Sequence, residues 1–246
     1  MSKDQDFDVI VVGGGHAGCE AAHASAKLGA HTVLITQSVD KIAAMSCNPA
    51  IGGTAKGHLV KEIDALGGLM AKAIDITGIQ FRTLNRKKGP AIWSSRAQAD
   101  MTLYARHMKH ALENTPKLSL RQDTVTGLIM SGTQVAGVET KIFGPIRAKK
   151  VIITTGTFLN GLIHIGNTNQ QAGRAGDAPS LSLASFFHKF YSHCKVINND
   201  ADLTNARIQL IKAVKTFFRY VSIKKILTTN IKKIDLQNKI CHKFAP

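Results

Sequence analysis

Three glycines with the spacing G-x-G-x-x-G stand near the start of the sequence, in the segment Gly13-Gly14-Gly15-His16-Ala17-Gly18. In a strand-turn-helix unit Gly13 permits the tight turn, Gly15 lets the backbone approach a diphosphate, and Gly18 allows the helix to pack closely on the strand. The N-terminus of that helix adds unpaired N–H groups and the positive end of its dipole. The segment therefore predicts a binding site for a dinucleotide cofactor, and a glycine turn without a ligand is the alternative.

The surrounding sequence supplies the elements that such a site requires. Residues 7–12 form a β-branched apolar run, an alanine-rich helix is expected from Cys19 to Leu28, and His31 to Thr36 is typical of a second parallel strand. An acidic residue normally follows this second strand and binds the ribose hydroxyls, but the sequence has the neutral segment 36–38 there. The neutral segment disfavours a simple NAD site and favours FAD.

Cys47 is a second candidate for chemistry. It precedes an Asn-Pro pair and two glycines, so it is expected in a loop that leads into a helix beginning near Thr54. A thiol close to a helix N-terminus and to Lys56 can have a lowered pKa and be reactive. From the residues alone, a small buried cysteine is the favoured interpretation, as it is for Cys19 on the alanine-rich helix.

Four short apolar runs follow further along the chain, at residues 118–121, 125–130, 134–140 and 146–153. Turn residues separate them, which predicts a small antiparallel insert that leads into a final parallel strand. The end of that strand, residues 151–157, should approach the cofactor, as strands do at the binding edge of open α/β sheets. The expected fold class is α/β.

Longer motifs extend this pattern in a fixed order: residues 45–68, 78–81, 88–90, 96–100 and 173–177. Together with the glycine segment they resemble the MnmG/GidA family over about residues 6–183. The members of that family are FAD-dependent enzymes that modify the wobble uridine of tRNA. The resemblance implies an FAD/NAD(P)-binding Rossmann-like fold of the glutathione-reductase type.

The resemblance also implies roles for individual residues. Cys47 matches a cysteine that acts at the pyrimidine ring as nucleophile or acid. Val125 matches a position that contacts the adenine end of FAD, and Ser180 matches one that lies against the cofactor. These residues join Gly13, Gly14, Gly15, His16, Ala17 and Gly18 as the candidate site.

Full-length family members continue into regions that this sequence does not match. These regions bind NADH, hold tRNA and dock a partner GTPase of the MnmE type, and the family forms homodimers. Because hydride delivery requires the nicotinamide to stack near the flavin, a truncated fold without the NADH site should not reduce its cofactor.

Composition limits the classes of protein that the sequence can represent. The chain has 246 residues, a net charge of +16 and four cysteines. No stretch approaches the roughly 20 consecutive apolar residues that a membrane-spanning helix needs. Scattered cysteines without C-x-x-C pairs predict neither a disulfide framework nor a metal site, and the acidic start is unlike a cleaved signal, so a cytoplasmic setting is expected.

The composition changes towards the end of the chain. The last glycine is Gly176, and residues 191–246 contain eleven basic and three acidic side chains. We expect an incomplete FAD-binding domain at residues 1–183 and a basic tail at 184–246 that is unrelated to the family, as an out-of-frame sequence would be. Apolar residues at helical spacing over 210–221 predict a helix in this tail, and the alternative is poor order.

Two classes of function remain open. The first is the N-terminal FAD-binding part of a tRNA-modifying flavoprotein, and the second is an inactive truncated product or a nucleotide- or RNA-binding module without turnover. A flavin disulfide reductase is disfavoured because Cys47 has no nearby partner cysteine. An RNA surface or a solvated face would equally explain the basic cluster of Arg82, Arg86, Lys87, Lys88 and Arg96.

Overall fold

The computed structural model describes residues 7–46, 48–54, 56–132 and 134–193, and the side chains up to residue 189. Within these ranges the helices are α1 (His16–Lys27), α2 (Lys56–Ala65), α3 (Met70–Thr77), α4 (Met101–Glu113) and α5 (Leu181–His193). The strands are β1 (Phe7–Val12), β2 (Thr32–Thr36), β3 (Ala50–Gly52), β4 (Gly78–Leu84), β5 (Ser94–Ala99), β6 (Leu118–Gln122), β7 (Val125–Ser131), β8 (Gln134–Thr140), β9 (Gly144–Ile153), β10 (Leu162–Ile165) and β11 (Thr168–Gln171).

A six-stranded sheet with the order β6-β2-β1-β9-β8-β7 carries the glycine segment. Strands β6, β2, β1 and β9 are parallel neighbours, whereas β9, β8 and β7 form an antiparallel meander. The expected α/β fold with a parallel sheet and an antiparallel insert is confirmed. One detail was wrong: β6, the first of the four apolar runs, pairs with β2 in parallel and lies outside the insert, because helix α4 precedes it and returns the chain along the sheet.

The core lies on both faces of β1. Phe7, Ile10 and Val12 join a cluster with Val33 and Ile35 of β2 and with residues of the meander. Helix α1 contributes small buried residues, Gly18, Cys19, Ala22 and Ala26. Small side chains let a helix approach a sheet closely, so the alanine-rich composition of α1 suits its position against the sheet.

Helix α5 packs on the side of the sheet formed by the meander. Leu183 belongs to the core cluster and is fully buried, and Phe187 packs against the same cluster. The helix therefore continues across residue 183, where the boundary between the FAD-binding part and the basic tail is expected, and that boundary stays a prediction. The residues that the structure describes all belong to one compact unit. The helix expected at 210–221 lies outside the described residues.

Two further antiparallel sheets were not predicted. One has the order β3-β5-β4, and the other is the β10-β11 hairpin. Strand β4 lacks a buried face, since its five central residues are exposed, and β11 is exposed along its whole length. Within the described ranges, no helix combines the length and the apolar composition needed to cross a membrane.

Candidate functional site

The glycine segment forms the turn between β1 and α1, and two of its glycines are required by their surroundings. Gly13 has φ +106°, and a Cβ atom there would lie 2.5 Å from the carbonyl oxygen of Thr154. A Cβ atom on Gly18 would lie 1.8 Å from the carbonyl oxygen of Gly13. Both positions therefore exclude a side chain, because the turn packs against Thr154 at the end of β9 and the start of α1 packs against the turn.

Gly15 is different, because no atom in the part of the chain that the structure describes accounts for its missing side chain. Its backbone is extended, with φ −74° and ψ −178°, which any residue can adopt. A Cβ atom at this position would meet no atom of the described residues within 4 Å. Gly15 is also the N-cap of α1, and no side chain of the described residues caps this helix end. The structure thus leaves open space and unpaired N–H groups at one point, which suits the diphosphate of a dinucleotide.

A pocket surrounds this point, and we name it the glycine-loop pocket. It opens at the carboxyl ends of β1, β2 and β9, as the general rule for open α/β sheets requires. Its lining comprises Val12–His16, Ile35–Ser38, Lys41, Ala44, Ser46, Asp123–Val125, Thr154–Phe158, Arg174, Asp177 and Ser180.

Strand β9 holds the glycine turn in place through Thr154. The Thr154 N–H donates to the Val12 carbonyl over 2.8 Å. Its hydroxyl lies 2.8 Å from the Val12 oxygen and 3.0 Å from the Gly13 oxygen. The end of β9 is therefore part of the site, in agreement with the expectation for residues 151–157.

The second wall begins where β2 ends. Thr36, Gln37 and Ser38 line the pocket in place of the usual acidic residue. The N–H of Val39 donates to the side-chain oxygen of Gln122 over 3.0 Å, which ties this segment to β6. Neutral groups thus stand after β2, where simple NAD sites have a carboxylate, and this gives a weaker basis for binding NAD.

Asp123 is a buried carboxylate in the same wall. Burial alone would raise its pKa, but hydrogen bonds from the Thr140 hydroxyl and from the N–H groups of Phe143, Thr124 and Ile142 outweigh burial, so the pKa lies below its usual value. The carboxylate fixes the turn after β8 against the end of β6. We assign Asp123 a structural role at the edge of the pocket.

His16 also lines the pocket. Burial lowers its pKa, so the imidazole is neutral near pH 7 and adds no charge to the site. The ring contacts Tyr104 edge-on, with 5.8 Å between the ring centroids. Among the described residues, neither His16 Nδ1 nor the Tyr104 hydroxyl has a hydrogen-bond partner.

Most of the predicted binding residues come together. Gly13, Gly14, Gly15, His16, Val125 and Ser180 line the pocket. Ala17 lies on the first turn of α1 outside the lining, and Gly18 is buried behind the turn. Their roles in cofactor binding stay predictions.

The N-terminal region contains two cysteines, Cys19 and Cys47. Cys47 lies outside the described residues, although its neighbour Ser46 lines the pocket. Cys19 is fully buried, and burial raises the pKa of its thiol to about 12. A thiol with such a pKa stays protonated at neutral pH, which confirms that Cys19 is a core residue.

Sequence reasoning missed the charged lining residues Lys41, Arg174 and Asp177, together with Asp123. The motif at 173–177 was recognised but given no role. Its arginine between two glycines, followed directly by an aspartate, was the available signal.

Comparison with known proteins shows which family the chain resembles. The family model described as "Glucose inhibited division protein A" matches residues 8–208, which extends beyond residue 183. The chain is 60% identical over 184 residues to the tRNA uridine 5-carboxymethylaminomethyl modification enzyme MnmG of Geobacter metallireducens, covering 75% of this chain and 30% of the relative. The protein of the same name from Geobacter sulfurreducens is also 60% identical, and 29% of it is covered.

Solved structures show the same similarity. Aquifex aeolicus GidA in its form II crystal superposes with a TM-score of 0.74 at 50% identity, over 77% of this chain and 32% of that one. The GidA-related protein of Thermus thermophilus gives a TM-score of 0.55 at 25% identity, over 74% of this chain and 68% of that one. The chain thus spans about a third of the Aquifex protein and has the Rossmann-like fold expected from its motifs. It belongs to the glucose inhibited division protein A family, GidA.

Proposed function

We propose that this chain is the FAD-binding part of a flavoprotein that modifies the wobble uridine of transfer RNA. The observation that carries the cofactor assignment is the open space at Gly15 beside the uncapped N-terminus of α1. The activity rests on the family and on the names of relatives that are 60% identical to the chain. Since the chain spans about 30% of those relatives, the activity of the whole protein is part of the proposal.

The residues of the glycine-loop pocket fit FAD in distinct ways. The N–H groups at Gly15 and the start of α1 would hold the diphosphate. The hydroxyl and amide groups at 36–38 would bind the ribose, Val125 would contact the adenine, and Ser180 would lie against the cofactor. When bound, FAD supplies a redox carrier for hydride transfer.

The remaining roles follow from the family resemblance. Cys47 is proposed to act at the pyrimidine ring as nucleophile or acid. NADH as reductant, a partner GTPase and a homodimer belong to the proposal for the whole protein, which would act in the cytoplasm where its tRNA substrate is found.

Strands β4 and β5 support the RNA part of the proposal. Arg82 and Arg96 lie directly opposite each other in the register of these strands, and both are exposed. No acidic side chain among the described residues forms a salt bridge with either arginine. Like charges at directly opposed positions destabilise a sheet. A phosphate backbone would relieve this repulsion, and Arg86, Lys87 and Lys88 on the following turn extend the positive surface.

This surface also favours the second candidate function, an RNA-binding module without turnover. Substituting Arg82 and Arg96 by serine should weaken binding of unmodified tRNA and reduce the salt dependence of the binding constant by about two phosphate contacts. Exchanging the exposed Arg106 of α4 and the exposed Arg147 of β9 together for serine is the control, because it removes the same two positive charges elsewhere. If the salt dependence does not change, RNA does not bind at these strands.

Flavin absorbance separates the two candidate functions. Purified chain, supplied with FAD, should show flavin absorption bands that remain after gel filtration. NADH is then added to the same sample, and any bleaching of the flavin bands is recorded. Bleaching by NADH would mean that the chain acts as a flavin reductase. If no flavin is bound, the RNA-binding module is the candidate function that remains.

A further inference from the structure

The motif at residues 173–177 lies at the glycine-loop pocket, although it is distant in sequence from the glycine segment. Its residues Arg174 and Asp177 line the pocket and contact the segment that follows β2. Backbone hydrogen bonds from Gly173 N–H to the Asp177 oxygen and from Asp177 N–H to the Arg174 oxygen, both 3.0 Å, close this motif into a tight turn. The turn is therefore a defined structure that holds two opposite charges at the pocket wall.

Asp177 binds two cations at once. One carboxylate oxygen pairs with the ammonium group of Lys41, and the other accepts from Nε of Arg174. Hydrogen bonds from Lys41 and from Arg174 lower the pKa of Asp177, so it is a carboxylate at neutral pH. The Asp177 side chain is 15% exposed, and that of Arg174 is 21% exposed. The pairs are thus partly shielded from water, which makes them stronger than fully exposed pairs.

Arg174 makes two further contacts that fix its orientation. Its Nη1 donates to the hydroxyl of Ser46 over 3.1 Å, and its guanidinium carbon lies 5.6 Å from the centre of the Phe158 ring. Ser46 and Lys41 belong to the loop after β2, while Phe158 follows β9. A planar guanidinium can make all these contacts together because its N–H groups point in fixed directions.

The geometry points to a function for these four residues, Lys41, Ser46, Arg174 and Asp177, which we name the Asp177 network. We propose that the Asp177 network joins the loop after β2 to the turn at residues 173–177, on the wall of the glycine-loop pocket. By joining them, it holds a bound flavin dinucleotide in place and slows its release. The proposal rests on the proposed function, because it requires that FAD occupies this pocket.

Three observations carry the step from contacts to retention. All four residues line the pocket, so the network borders the space that the ligand would occupy. Its contacts connect segments that are 136 and 128 positions apart, and no single element could hold both walls. Lys41 and Arg174 are the lysine and arginine of the lining, and their shared partner Asp177 fixes both charges at the wall.

The test measures the rate of FAD release from the complete 246-residue chain. Chain loaded with FAD is diluted rapidly into buffer without FAD, and the rise in free-flavin fluorescence gives the dissociation rate. Because each ion pair of this kind contributes modestly, Arg174→Gln and Lys41→Met should each release FAD about three- to tenfold faster. Lys41 is half-exposed, so its substitution should leave folding intact.

A matched control lies next to the network. Lys109 forms an ion pair of 2.9 Å with Asp40, which is adjacent in sequence to Lys41. Neither Lys109 nor Asp40 lines the glycine-loop pocket. Lys109→Met therefore removes an ion pair from the same loop without touching the pocket, and FAD release should be unchanged. If Lys109→Met accelerates release as much as Lys41→Met does, general loosening of the loop explains the effect and the proposal is wrong.

Two further variants distinguish retention from simple destabilisation. In chain that carries Asp177→Asn, adding Lys41→Met should cause no further acceleration, because the contact is already lost. Arg174→Lys should recover part of the retention, since lysine keeps the pair with Asp177 but cannot also reach Ser46 in the same geometry. Additive effects in the double variant would contradict the network.

The outcomes also separate this proposal from the one on which it rests. If the unaltered chain takes up no FAD, both the cofactor assignment and the network's role are wrong. If the chain takes up FAD and all variants release it at the same rate, the cofactor assignment stands and the retention role is refuted.

Discussion

Alanine at Gly15 should mainly weaken cofactor binding, whereas alanine at Gly18 should mainly lower the stability of the fold. At Gly15 the added Cβ lies more than 4 Å from every other atom in the described ranges, apart from its chain neighbours, and the extended backbone suits alanine. At Gly18 the same atom would lie 1.8 Å from the Gly13 oxygen and 2.7 Å from the Thr154 hydroxyl. Gly15→Ala therefore alters only the space left for the ligand, whereas Gly18→Ala disrupts the turn itself.

The magnitudes follow from these contacts. Gly15→Ala should lower the free energy of unfolding by no more than about 1 kcal/mol, since alanine is a poorer N-cap than glycine. It should displace the diphosphate and remove about two hydrogen bonds to a charged group, each about 1.5–3 kcal/mol. The affinity for FAD should then fall by roughly 100- to 10,000-fold. Gly18→Ala should lower the free energy of unfolding by about 1–3 kcal/mol or more, through overpacking.

Urea unfolding and FAD titration together test this pair. Unfolding of chain without FAD should give a near-native midpoint for Gly15→Ala and a clearly lower one for Gly18→Ala. Isothermal titration with FAD should show strongly weakened binding for Gly15→Ala despite its intact fold. Native-like affinity in Gly15→Ala would refute the placement of the diphosphate beside the N-terminus of α1.

Three further predictions concern single side chains. Asp123→Asn should lower the free energy of unfolding by about 1.5–3 kcal/mol, because the carboxylate accepts hydrogen bonds from three backbone N–H groups. The pKa of Asp123 in the folded chain lies below 3.8, so this stabilisation is present above pH 3.8 and is lost as the pH falls through the folded pKa. The urea midpoints of the variant and of the unaltered chain should therefore converge in acid. Burial and the nearby charges of Lys27 and Lys72 lower the pKa of His23 from 6.5, so as the pH falls the unfolded chain binds a proton before the folded chain does. The free energy of unfolding should therefore decrease as the pH is lowered below about 6.5, and this decrease should be smaller in His23→Gln. Parallel curves of stability against pH for the two chains would contradict this prediction. Cys47→Ser should leave the affinity for FAD unchanged in a fluorescence titration, and a large loss would assign Cys47 a structural role.

The cofactor half of the site could be predicted from sequence because its signals are local. Strand β1, the glycine turn, α1 and β2 follow one another within residues 7–36, and each has a distinct pattern of residues. The start of α1 at His16 was placed later, at Cys19, because Gly15 caps the helix without any side chain that would mark the boundary.

The charged half of the site could not be predicted in the same way. Lys41 and Asp177 are 136 positions apart, and only the folded chain brings them together. Strand β4 was missed because exposed residues fill its centre, which removes the alternation that identifies a half-buried strand. The parallel pairing of β6 with β2 likewise depends on a partner far away in sequence.

The most direct test of the account is the flavin content of the purified chain. Protein produced in flavin-rich cells should be yellow, and chain stripped of flavin should bind equimolar FAD with measurable heat on titration. A colourless protein that gives no heat with FAD would contradict the central claim that the glycine turn between β1 and α1 holds the diphosphate of a flavin cofactor.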